Sequence, residues 1–120
     1  MTRTRIEPDT EAVEELKAAL ERLRKDGWNR GKFHDLATGK CCALGAFGYQ
    51  FPTDSPGVKY LAYAIRTRKG GPPYPADMPD MSVVIRFNDA HGRKWAEVEA
   101  VFLAAIRYAE GKGVYVREGR

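Results

Sequence analysis

The sequence predicts a mostly α fold: one compact domain of about four helices, with a short hairpin or extended segment beside them. Three observations carry that prediction. Apolar residues recur at three- and four-residue spacing within residues 13–23, 58–65 and 95–106, the period of a helix with one buried face. Only residues 82–87 have the β-branched and aromatic makeup of a strand, and a sheet needs a second such run. At 120 residues the chain has the size of one domain, with a core over about residues 9–111 and loose tails at 1–8 and 112–120.

The elements follow in order. Asp9 or Thr10, after Pro8, caps the first helix; Glu11, Glu14 and Glu15 suit its positive end, and Arg22, Arg24 and Lys25 its negative end. Val13, Leu16, Leu20 and Leu23 form its apolar stripe, Gly27 ends it, and Trp28 folds back on the core. Residues 29–40 are irregular, with Phe33 and Leu36 as expected core anchors. Asp35 with Thr38-Gly39 marks a tight turn, the centre of a short hairpin. Residues 42–49 read as a short helix presenting Leu44, Phe47 and Phe51 inward. Its glycines, Gly45 and Gly48, each weaken a helix by about 1 kcal/mol relative to alanine, and close approach of another backbone is the compensation they imply.

Asp54-Ser55-Pro56 starts the next helix, which buries Val58, Leu61, Ala62 and Ile65 and ends near Arg68. Residues 70–80 hold two glycines and four prolines, so they form an exposed loop, with Tyr74 as a hook onto the core. Residues 82–87 are expected as a buried extended segment or half of a small ribbon. The last helix covers residues 93–109, with Trp95, Val98, Val101, Phe102, Ala105 and Ile106 on one face, before Gly111 and Gly113.

With 43% hydrophobic and 30% charged residues, the composition is that of a globular protein and not of a disordered chain. No apolar run approaches the roughly 20 residues of a membrane span. The first residues are basic but lack the apolar core of a signal peptide, so a cytoplasmic location is expected. Cys41 and Cys42 are expected as reduced thiols, since neighbouring cysteines rarely bridge each other. The net charge of +4 is spread over Arg3 and Arg5, then Arg66, Arg68 and Lys69, then Lys112, Arg117 and Arg120. That scatter suits solvated surface better than a nucleic-acid groove.

A set of ordered elements runs through the chain: Gly27-Trp28, then Cys42-Ala43-Leu44-Gly45-Ala46, then Phe87-Asn88-Asp89-Ala90, Gly92-Arg93 and Val98. On these residues, over about positions 10–110, the chain resembles small actinobacterial and actinobacteriophage proteins grouped as a domain of unknown function. The resemblance implies a shared fold and an actinobacterial or phage origin, and it brings no activity with it. The chain departs from the family pattern at Lys94, where Thr or Ser usually caps the last helix; Asn88 or Asp89 is then the substitute cap, or none exists. The tail after Lys112 also goes beyond the pattern.

Two groups of residues could carry function. As a thiol site, Cys42 at a helix start would be the nucleophile, with His91 or His34 as base and Asn88 or Asp89 orienting the imidazole. The plainer reading makes Cys42 a buried packing residue and Asn88-Asp89 backbone-bonding side chains. No metal site is expected, because neither histidine stands at ligand spacing, and no cofactor is expected because no phosphate-cradling loop is present. As a binding surface, Arg66, Arg68, Lys69 and Tyr74 lie on or beside the proline-rich loop. The leading expectation is a non-enzymatic accessory protein that binds a host or bacterial protein. The alternatives are a thiol-dependent enzyme and a weak nucleic-acid binder using those cations with Tyr60, Tyr63 and Tyr74.

Overall fold

The first helix, α1 (Thr10–Asp26), starts where Asp9 accepts a hydrogen bond from the Ala12 N–H at 3.0 Å and ends at Gly27, which adopts a φ of 101°. This computed structural model describes residues 8–48 and 55–112. Residues 1–7 and 113–120 of the expected tails, and the expected roles of Tyr49, Phe51, Asp54 and Gly113, lie outside those residues. Three further helices follow: α2 (Pro56–Thr67), α3 (Asp80–Asp89) and α4 (Trp95–Ala109). Among the described residues there is no strand, only isolated bridges of Cys41 with Trp28 and His34.

Helix α2 is the hub, packing on α1, α3 and α4, while α1 also packs on α4. Their facing stripes are the ones the spacing predicts: Leu16, Leu20 and Leu23 from α1, Val58, Leu61, Ala62 and Ile65 from α2, Val98, Val101, Phe102 and Ala105 from α4. Val13 and Trp95 reach the same core only partly buried. The start of α2 is not capped by Ser55. Glu15, reaching across from α1, accepts from both the Ser55 hydroxyl and the Gly57 N–H. Gly57 packs closely: a Cβ there would stand 2.8 Å from the Glu15 carboxylate and 2.9 Å from the Phe47 ring, so those side chains would have to shift.

Four expectations are corrected. Residues 82–87 are helical, inside α3. Val83, Val84, Phe87 and Asn88 are buried while Arg86 is exposed, a helical face that overrides the strand preference of the β-branched run. The helix expected over 42–49 contracts to a single 3-10 turn, Gly45–Phe47. Leu36 is not a core anchor, being 87% exposed, and Phe33 is 48% exposed. Finally, α4 begins at Trp95, and its first turn is held by Glu97, whose carboxylate accepts from the Lys94 N–H at 3.0 Å. Asn88 and Asp89 take no part in that cap.

Candidate functional site

The residues between α1 and α2 are tied to the end of α3 through one side chain. Asn88 is fully buried in the last turn of α3. Its Oδ1 accepts from Trp28 Nε1 at 2.6 Å and from the Ala43 N–H at 2.9 Å. Its Nδ2 donates to the Asn29 carbonyl at 3.2 Å and to Asp89 Oδ1 at 2.9 Å. Asp89 Oδ1 also accepts from the Gly31 N–H, and Arg30 donates to the Ala90 carbonyl. Gly27-Trp28, Cys42-Ala43 and Asn88-Asp89, far apart in the chain, thus meet at one polar node. Gly45 completes it: a Cβ there would lie 2.1 Å from the Phe33 carbonyl oxygen, so the two backbones touch, as the glycine implied.

Cys42 sits in this junction, 3% exposed. Its sulfur accepts from the Gly45 N–H at 3.2 Å, and its own N–H donates to the Phe33 carbonyl at 3.1 Å. Burial pushes the thiol above its ordinary pKa, and the Asp89 carboxylate pushes it the same way, outweighing the backbone amides near the sulfur. Burial also raises Cys41. The expected dipole stabilisation of a thiolate is weak because one 3-10 turn has little dipole to offer. A cleft of about 160 Å³ is lined by Gly31, Lys32, Phe33, Cys42, Ile85 and Asp89. Cys42 and Asp89 therefore share a cleft, with Asn88 behind them. His34 pairs its backbone with Cys41, and His91 is exposed in the α3–α4 connection. Neither histidine is among the residues lining the cleft. The described residues hold no group of three side chains suited to a metal ion.

The binding residues read from sequence divide by role. Arg66 donates to the carbonyls of Pro75 and Met78, at 3.1 and 2.8 Å, and so fastens the proline-rich loop to α2. Arg68 lies 5.1 Å from the Phe87 ring centre and 3.7 Å from Glu97. Arg93 stands 3.8 Å from the Phe87 ring centre and 3.0 Å from Glu97. The Lys94 N–H first, then Arg93, hold the Glu97 carboxyl below its usual pKa. Tyr74 is half-buried against the core, as a hook should be, and Lys69 is exposed. Sequence reasoning missed the groove itself. It measures about 470 Å³ between the loop and α3, lined by Pro75, Asp77, Met78, Pro79, Ser82, Ile85 and Arg86. The proline-rich loop signals one wall; the other stayed hidden while residues 82–87 read as a strand. A further cleft of about 320 Å³ gathers Tyr60, Tyr63, Lys59 and Arg66, but Asp9 and Asp80 line it too. That balance of charge is a poor match to a polyanion.

A family model described as a family of unknown function, DUF6197, matches residues 7–108. The chain belongs to that family. The matched span includes every residue of the Trp28–Ala43–Asn88 node and all four helices but for Ala109, the last residue of α4. No curated protein and no solved structure matches the chain. Among the described residues, no helix is long and apolar enough to cross a membrane.

Proposed function

We propose that this DUF6197 member is a small accessory protein of phage or actinobacterial origin that acts in the cytoplasm by binding a host protein. The observation that carries the reading is the open groove between the proline-rich loop and α3. Arg66 fixes one wall through two carbonyls, and the buried face of α3 fixes the other. A pre-shaped groove on fixed supports loses less entropy on binding than a free loop. Its lining of prolines, Met78 and Ile85, edged by Asp77 and Arg86, is the mixture of apolar centre and polar rim that suits a protein segment. The buried thiol at Cys42, with its pKa pushed up, argues for binding over catalysis.

Affinity capture from an actinobacterial lysate, repeated with Ser82→Arg and Ile85→Asp, tests the reading. The expected result is a protein retained by the natural chain and lost with both variants while their far-UV circular dichroism is unchanged. An identical capture profile for all three chains would refute it.

A further inference from the structure

On the far side of Ile85 from the groove lies a second surface with a different chemistry. Residues 30–40 form a turn whose backbone is bonded to itself and to its base. Asp35 N–H donates to the Lys40 carbonyl at 2.8 Å and Gly39 N–H to the Asp35 carbonyl at 2.7 Å, while Asp35 Oδ1 accepts from the Ala37 N–H. At the base, Gly31 N–H donates to Asp89, and the Phe33 carbonyl accepts from Cys42. A turn so closed derives nothing from an apolar tip, yet Leu36 stands 87% exposed there and Phe33 is 48% exposed. One exposed leucine is ordinary. Here it stands on the same turn as Phe33, which walls the 160 Å³ cleft floored by Cys42 and Ile85. That volume is roughly five times the ~30 Å³ of a liquid water, room for a single branched or aromatic side chain.

The charge around it is mainly positive. Arg30, Lys32 and Lys40 are all exposed, against Asp35 alone within the turn. None of these cations enters a side-chain ion pair among the described residues. Asp89, at the cleft edge, already accepts from Gly31 and Asn88.

We propose that the turn of residues 30–40 docks an acidic protein segment, which packs on Leu36 and places one apolar side chain in the cleft between Phe33 and Ile85. The inference rests on the reading that this chain binds a protein, and it names the chemistry of the bound segment. Nucleic acid would satisfy the cations but offers no aliphatic group to Leu36 or the cleft.

The test is selection of a random dodecamer peptide library on the full chain, followed by fluorescence anisotropy of the best enriched peptide. Enriched peptides should carry Leu, Ile, Met or Phe flanked by Asp and Glu. Binding should weaken tenfold or more in Leu36→Asp and in Lys32→Glu, and fall as salt rises from about 50 to about 500 mM. Both substitutions are at exposed positions, and circular dichroism is the check that each variant folds. No enrichment, peptides without acidic bias, or binding indifferent to both substitutions would overturn the proposal. So would a finding that a labelled oligonucleotide or self-association, and not the peptides, depends on Leu36 and Lys32. Loss of lysate capture in Ser82→Arg, which touches the groove and not the cleft, with Leu36→Asp silent in every assay, would leave the protein-binding reading standing and remove this one.

Discussion

At Asn88 a single side chain closes four hydrogen bonds, three of them to residues 45 to 60 positions away and one to its neighbour Asp89. In Asn88→Ala, Trp28 Nε1 and the Ala43 N–H lose their acceptor in a site closed to water, so the loss should reach about 2–4 kcal/mol. Urea unfolding measures it, and a change under ~0.5 kcal/mol would mean that water replaces the amide. Asn29, whose carbonyl is bound by Asn88, provides the opposite case. Both polar atoms of its own side chain are buried without a hydrogen bond. Removing such atoms removes a desolvation cost, so Asn29→Ala should leave stability unchanged or raise it by up to about 1 kcal/mol. Clear destabilisation in the same unfolding measurement would count against that account. The sequence shows Asn88-Asp89 as a polar pair that bonds backbone, and this is what the structure contains. It could not show which backbone, because the partners lie 45 to 60 residues away, and nothing in one chain's spelling links Trp28 to Asn88.

Helix α2 shows how an element can depend on a neighbour for its start. Asp54-Ser55-Pro56 reads as a self-sufficient beginning, yet the Gly57 N–H and the Ser55 hydroxyl both turn to Glu15 of α1. Glu15→Ala should therefore destabilise the protein by about 1–2 kcal/mol, the size of a lost helix cap, although Glu15 belongs to another helix. Chemical denaturation checks this; a loss no larger than that from Glu14→Ala, on the exposed side of α1, would contradict it. The periodic elements α1, α2 and α4 were legible because their apolar stripes are long. Helix α3 was not. Ten residues with Val83, Val84 and Ile85 in succession carry too little period to tell helix from strand. The signal available was at its ends, with Asp80 after Pro79 at the start and Arg86 in the last turn. The same ambiguity hid the groove and the Ile85 boundary between the two proposed surfaces.

For the whole molecule, the cysteine pair decides between a protein that packs its thiols and one that uses them. Burial raises both thiols above their ordinary pKa, so the fold favours the neutral form. Their contribution to stability is complete below the unfolded thiol value of about 8.5. As pH rises from there through the raised folded values, the unfolded chain ionises first and the contribution is lost. Stability measured by denaturation should therefore be flat in this respect to about pH 8 and decline beyond it. Replacing both cysteines by alanine should remove that part of the decline while lowering stability throughout. Reactivity gives the complementary readout. Cys41 belongs to the core that α1, α2 and α4 share, so an alkylating reagent reaches it only when that core opens, while Cys42 borders the cleft but is only 3% exposed and has its thiol pushed up by burial. Iodoacetamide labelling of the native protein at neutral pH should be far slower than that of the urea-unfolded chain, and should accelerate with denaturant in step with unfolding. Fast labelling of Cys42 in the folded state, with a pH midpoint below the ordinary thiol value, would reverse the conclusion. It would make the Cys42–Asp89 cleft a place of chemistry after all, and the groove beside α3 secondary to it.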